Sequence, residues 1–210
     1  MATDCVLERR NGRLCLRPRD TNADAGVCLN VDDVRRRLKQ GRQLALAKAC
    51  GVRAQWSVLD AMAGLGLDGI TLAALGCRVA MVERDPLLFA MLKDAVAESR
   101  RRLSVSDIET IAADVRSMPI EPGRYDVVYL DPMFPLPAGS ALPRKAAQLL
   151  ARHVGQADDD LPALLQRLRG VAANRVVLKR RRHDPVVVPP DWQIDARTVR
   201  FDVYRANAAS

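Results

Sequence analysis

Three places in the chain hold residue types that can do chemistry together. The first is Asp60-Ala61-Met62-Ala63-Gly64-Leu65-Gly66-Leu67-Asp68-Gly69, a glycine-bearing loop between an apolar run and a helical pattern. Glycines let the backbone approach a ligand closely, and the amides of the following helix N-terminus point at it. The second is Glu83, which ends the next apolar run at a spacing that fits one βαβ unit. A carboxylate there can reach the two ribose hydroxyls of a nucleoside cofactor. The third is Tyr129-Leu130-Asp131-Pro132-Met133-Phe134-Pro135. An amine attached to a nucleobase is a poor nucleophile, because its lone pair is delocalised into the ring. The Asp131 carboxylate and a nearby backbone carbonyl can accept its two hydrogens and so aim the lone pair at an electrophile. Pro132 stiffens the loop that carries these acceptors. Phe134 can stack on a base lifted out of its helix.

The glycine loop leaves two cofactors open. Asp60, Gly64 and Gly66 fit the D-x-x-x-G-x-G pattern of S-adenosylmethionine-dependent methyltransferases, but Gly69 also completes the G-x-G-x-x-G of dinucleotide folds. Glu83 serves either one. The Asp131-Pro132 stretch decides for S-adenosyl-L-methionine, because it resembles the (D/N)-P-P-(Y/F) motif of methyltransferases acting on exocyclic amines of bases. No metal is required, since a sulfonium methyl is already activated. Asp114, just beyond another apolar run, is the candidate contact for an adenine edge. His153 and His183 have nothing that places them beside Asp131, and Trp56 and Trp192 read as core or rim aromatics.

These residues need a frame that brings three strand ends together. Val58-Leu59, Arg78–Val82, Glu109–Ala112, Tyr125–Leu130 and Arg175–Leu178 read as strands, with two more candidates within 191–204. Helical patterns lie between them, including Pro86 to about Arg101 and stretches near 141–153 and 159–172. Strands alternating with helices predict an α/β, Rossmann-like class I methyltransferase fold, with a mostly parallel seven-stranded sheet and an antiparallel strand near the C-terminus. Ahead of it, Asn11-Gly12 predicts a hairpin between Cys5–Leu7 and Arg13–Leu16. A basic helical pattern then runs from Asp32 to Cys50, with Gly41 as a candidate interruption. The predicted organisation is an N-terminal extension over 1–50, packed on a catalytic domain over 51–210.

The chain of 210 residues is 49% hydrophobic, which suits one folded domain. Its 33 lysines and arginines against 25 acids give a net charge of +8, which points to a polyanionic partner or to arginine-rich composition alone. No apolar run is long enough for a transmembrane helix, and no signal-peptide pattern opens the chain. Cys5, Cys15, Cys28, Cys50 and Cys77 form no CxxC pair, so neither a zinc site nor a disulfide framework is expected, and a reducing cytoplasm is.

The same residues closely resemble the bacterial ribosomal RNA small subunit methyltransferase J family. The matching segments are LDAMAGLG from Leu59, LGCRVAMVER from Leu75, VVYLDPMFP from Val127, Ser140-Ala141-Leu142, RVVLKR from Arg175 and RFDVY from Arg200, spread over about residues 35–205. The resemblance implies methyl transfer to the exocyclic N2 amine of guanine 1516 in 16S rRNA, and the small ribosomal subunit or its RNA as partner. It implies cofactor contacts at Leu67, Asp68, Glu83, Arg84, Ala113, Asp114 and Asp131. It also implies RNA contacts at Lys145, Lys179 and Arg180, with Arg36, Arg37 and Arg42 as further basic candidates. The chain departs from the family where Leu67 replaces an arginine, Arg181 replaces a proline, and Lys39-Gln40 replace glycines; its N-terminal region is shorter. Another base or protein amine remains an alternative target. A non-catalytic RNA-binding module on the same fold is the alternative outside enzymology.

Overall fold

The computed structural model describes residues 5–19, 26–132 and 160–207. Strands β1 (Cys5–Arg10) and β2 (Arg13–Pro18) pair antiparallel around Asn11 and Gly12, whose φ values of 49° and 79° build the tight left-handed turn that Asn-Gly favours. Leu16 exchanges two backbone hydrogen bonds with Val27, at 2.8 and 2.7 Å. That pairing sets Cys15 and Cys28 side by side, and they form a disulfide with Cα atoms 4.4 Å apart. This corrects the expectation of no disulfide. The 13-residue separation has no motif signature, because the bridge between Leu16 and Val27 creates the proximity. Cysteine usage therefore gives no argument for a reducing compartment. Cys5, Cys50 and Cys77 are buried and lie outside this disulfide.

The basic stretch after it is broken as the sequence suggests. Helix α1 (Val31–Leu38) starts at Asn30, whose side chain accepts from the Asp32 amide at 3.0 Å, and buries Val31 and Val34. A 3₁₀ turn over Gly41–Gln43 then separates it from α2 (Ala45–Cys50).

The main sheet contains β3 (Ser57–Asp60), β4 (Arg78–Glu83), β5 (Ile108–Ala112), β6 (Tyr125–Leu130), β7 (Ala172–Arg181), β8 (Trp192–Asp195) and β9 (Val199–Arg205), in the order β5-β4-β3-β6-β7-β9-β8. Strands β3 to β7 are mutually parallel, whereas β9 runs antiparallel to both β7 and β8. Alternation along each strand sorts the core into two layers. Val58, Val79, Met81, Val127, Tyr129 and Val177 face α1, α2, α3 (Leu67–Ala74) and α4 (Pro86–Leu103). Leu59, Val82, Val128, Leu130, Val176 and Leu178 face α5 (Leu161–Arg169). The hairpin lies on α4, where Leu16 packs with Leu88 and Met91 and the Leu14 amide bonds Asp94 at 2.9 Å.

The chain leaves β3 towards β4 and β5, then returns to place β6 on the other flank of β3. That reversal opens a crevice at the carboxyl ends of β3 and β6, where open α/β sheets hold their ligands. Asp60 and Asp131 stand at those two ends. Trp56 and Trp192 lie at the opposite end of the parallel strands, each stacked by arginines: Arg53 and Arg175 over Trp56, Arg175 and Arg205 over Trp192.

Candidate active site

The glycine loop ties the two neighbouring strands together before it turns into α3. The Ala61 amide donates to Tyr129 O on β6 at 2.9 Å, and the Ala63 amide to Val82 O on β4 at 2.9 Å. Gly66 has φ +83°, and a Cβ there would stand 2.5 Å from Leu92 Cδ1. Gly66→Ala is therefore expected to cost about 2–4 kcal/mol, from backbone strain plus displacement of Leu92; denaturant unfolding of the variant checks it. Gly69 is also a packing glycine: a Cβ would fall 2.6 Å from Asp60 Oδ2 and 2.5 Å from Met81 Cε. Gly64 differs from both. The space where its Cβ would project is open, which leaves room for a ligand against the loop.

Glu83 is buried at the end of β4, beside that space. Its Oε2 accepts the Gly64 amide at 2.9 Å and its Oε1 the Asp85 amide at 2.8 Å. Burial raises its pKa against the pull of these amide bonds. Each oxygen keeps a further lone pair that can accept from a hydroxyl. Asp85 also caps α4 by accepting from the Leu87 and Leu88 amides, both at 2.9 Å. Arg84 pairs with Asp114 at 3.4 Å. Asp114 also accepts from the Arg116 amide and guanidinium, at 3.0 and 2.9 Å. Burial opposes ionisation of Asp114, but these bonds hold its carboxyl below the ordinary value. Ala113 continues the strand through its amide to Glu83 O at 3.3 Å, and Leu67 lays its side chain on the core.

The crevice floor carries three further carboxylates. Asp60 is 1% exposed. Its Oδ1 has no hydrogen-bond partner among the described residues. Burial pushes its pKa well up, and the neighbouring Asp68 and Asp131 push it further. Asp68 is the most heavily bonded of the three. Its Oδ2 accepts from Tyr129 OH at 2.6 Å and from Lys179 Nζ at 2.8 Å, while Arg37 bonds its Oδ1. Burial alone would raise its pKa, but Lys179 and Arg37 hold it well below the carboxylate range. Asp131 accepts from Lys179 Nζ through Oδ2 at 2.7 Å. Its own pKa is raised by burial, with Lys179 opposing and Asp68 adding to the rise. One ammonium thus clamps two carboxylates from different elements, and burial notwithstanding, they hold its own pKa well above the lysine value.

The sequence groups Lys179 and Arg37 with RNA-contacting cations, whereas both side chains are turned inward onto Asp68. Neither is presented as a free surface charge. Asp68, expected at a cofactor, spends both oxygens on this network. Arg36 pairs with Asp33 at the surface, and Arg42 is exposed on the 3₁₀ turn. Arg180 stands 3.6 Å from Asp184 with a largely covered side chain. Pro132 is buried beside Asp131. Phe134, Lys145, His153 and the expected helix near 141–153 lie outside the described residues. Tyr129 was missed as a site residue. It reads as one more apolar position in a buried strand, and nothing in the sequence pairs its hydroxyl with Asp68.

Comparison with known proteins identifies the chain. A family described as putative SAM-dependent methyltransferase matches residues 2–206. The chain belongs to this family. Among relatives of this methyltransferase, ribosomal RNA small subunit methyltransferase J of Pseudomonas paraeruginosa is 41% identical over 187 residues, covering 83% of this chain and 70% of the relative. The protein of the same name from Alkalilimnicola ehrlichii is 39% identical over 217 residues, covering 95% and 81%. The crystal structure of the SAM-dependent methyltransferase NGO1261 from Neisseria gonorrhoeae matches with a TM-score of 0.73 at 27% identity, over 99% of this chain and 85% of that one. The methyltransferase's cofactor is S-adenosyl-L-methionine, and the expected Rossmann-like sheet with its antiparallel strand is the observed one. Among the described residues no helix is long and apolar enough to cross a membrane, and no cluster of metal-ligating side chains occurs.

Proposed function

We propose that this methyltransferase transfers a methyl group from S-adenosyl-L-methionine to the exocyclic N2 amine of a guanine in 16S rRNA. The observation that carries the reading is Asp131, held at the carboxyl end of β6 with Oδ2 on Lys179, its one donor among the described residues. The rRNA target rests on the relatives named ribosomal RNA small subunit methyltransferase J and on the chain's net charge of +8. Such a substrate would place the chain in the cytoplasm.

The glycine loop and its surroundings fit the cofactor. The open space over Gly64, the lone pairs of Glu83 beside it and the orphaned Asp60 Oδ1 offer acceptors to a cationic, hydroxyl-bearing ligand. Arg84, Ala113 and Asp114 form the wall at the end of β5 where an adenine would lie. The bound cofactor supplies an electrophilic methyl group. Asp131 Oδ1 accepts one hydrogen of the amine, directs its lone pair towards the methyl carbon, and takes the proton displaced when the new bond to nitrogen forms. Pro132 limits the swing of that carboxylate. Residues 1–50 act as an extension of the catalytic domain, from which Arg37 reaches the site.

Two measurements test this reading. Glu83→Ala should weaken S-adenosyl-L-methionine binding by about 10- to 100-fold in calorimetric titration, as loss of charge-assisted bonds predicts. Incubation with labelled cofactor and small-subunit RNA lacking the modification, followed by mass spectrometry of nucleosides, should yield N2-methylguanosine. A methylated adenine would redirect the assignment to another amine. RNA retention without any transfer would favour a non-catalytic binding module.

A further inference from the structure

The end of β7 carries a second arrangement that methyl transfer itself does not use. Strand β7 pairs with β6 as far as Leu178, opposite Leu130, but continues with β9 to Arg181, opposite Val199. The β7–β9 ribbon thus overhangs the crevice at the end where Asp131 stands. Side chains alternate along a strand, so Arg181 shares the face of Lys179 about 7 Å further out. The chain then folds back against the β8–β9 turn. The Arg182 amide donates to Thr198 O at 3.1 Å, and the Ala196 amide to Val199 O closes that turn at 2.8 Å. Arg182 and Arg197 are brought to neighbouring turns, both exposed, with His183 exposed beside them. Among the described residues, Arg182 reaches the exposed Asp195, at 4.0 Å. Among the described residues no carboxylate pairs with Arg181 or Arg197.

One buried guanidinium holds this element in shape. Arg200 is 5% exposed and Asp202 fully buried, joined by Nε to Oδ1 at 2.9 Å and Nη2 to Oδ2 at 3.2 Å. The remaining donors are spent on the fold-back: Nη1 on the carbonyls of Arg182 at 3.0 Å and Asp184 at 2.5 Å, Nη2 on that of Pro185 at 3.3 Å. Gln193 Nε2 completes Asp202 Oδ1 at 2.7 Å. A buried ion pair adds little net stability over apolar packing. Here it fixes the carbonyls of Arg182, Asp184 and Pro185 inward, which sets the backbone from which the exposed Arg182 and His183 project. A rigid arginine fork suits phosphate oxygens, and ordering it beforehand removes the entropic cost at binding.

We propose that Arg181, Arg182 and Arg197 form a phosphate-docking rim for the RNA strand leaving the crevice, with Arg200 as its positioning residue. This rests on the RNA reading above.

The test is equilibrium binding of a small-subunit RNA fragment across a salt series, for the parent protein and an Arg182→Gln/Arg197→Gln variant, with calorimetric titration of S-adenosyl-L-methionine on both. Each lost phosphate contact flattens the slope of log K against log salt by about 0.7–0.9, so the variant should lose about 1–2 from the slope. Its cofactor affinity should not change. Arg200→Met should raise KM for RNA while kcat at saturating RNA stays within about twofold, because a misplaced rim weakens docking and not chemistry. An unchanged salt slope in the double variant overturns the rim while leaving the RNA reading intact. Failure of the parent protein to retain RNA, with cofactor bound normally, overturns the RNA reading and the rim together.

Discussion

Asp131→Asn should lower kcat for methyl transfer by about a thousandfold, within the range expected for removing a positioned proton acceptor. The amide keeps the shape of the carboxylate but not its polarity. Its Oδ1 will be drawn to Lys179 Nζ, which now donates to Asp131 Oδ2 at 2.7 Å. The NH₂ group then faces the crevice and presents donors to an amine that needs acceptors. Single-turnover kinetics with saturating cofactor isolates this effect from binding. Cofactor affinity should shift by less than about tenfold. In the parent protein the rate should fall on acidification, as Asp131 protonates at a pH above the ordinary aspartate range. Full activity in the asparagine variant would remove Asp131 from the chemistry.

Lys179→Met should be the most damaging change to stability. It leaves Asp68 and Asp131 buried together without the ammonium that bonds both, with Arg37 remaining only on Asp68. Breaking a buried ion cluster by removing one partner costs about 3–5 kcal/mol, which for a domain of this size lowers Tm by roughly 6–20 °C. The loss should depend on pH in a definite sense. In the parent, Lys179 is raised, so its contribution persists until pH climbs through that raised value; Asp68 is lowered, so its contribution persists until pH falls well into acid. Both are intact near neutrality. In the variant the two carboxyls repel each other and their pKa values rise above those of the unfolded chain. Their protonation then favours folding at low pH, and that gain is lost as pH increases. The deficit relative to the parent should be smaller at about pH 5 than at about pH 8, as melting curves at both will show.

What the sequence displayed and what it hid divide along chain distance. The hairpin turn at Asn11-Gly12, the glycine loop, Glu83 after its strand and Asp131 after its own are all local patterns, and each stands where its pattern predicts. The clamp on the carboxylates is not local. Asp68 meets Arg37 across 31 residues, Tyr129 across 61 and Lys179 across 111. Lys179 therefore read as an RNA-contacting base, and its partner Asp68 as a cofactor contact. Burial and neighbouring charge, which decide its role, exist only once strands far apart in sequence lie side by side. The Cys15–Cys28 disulfide was hidden for the same reason, since only the pairing of Leu16 with Val27 brings the two thiols together.

The 111-residue reach from Asp68 to Lys179 also bears on how the protein is made. A chain still emerging from its own synthesis can assemble β3, β4, β5 and β6 before β7 exists. Until β7 arrives, the acids at the head of that half-sheet have no ammonium to neutralise them, and such distant contacts form late because closing a long loop is slow. Partial products should therefore stay loose around the crevice and chemically silent. Under the proposed mechanism, the lysine bonded to Asp131 would double as a completion check, with activity expected only from a chain whose last strands have taken their places.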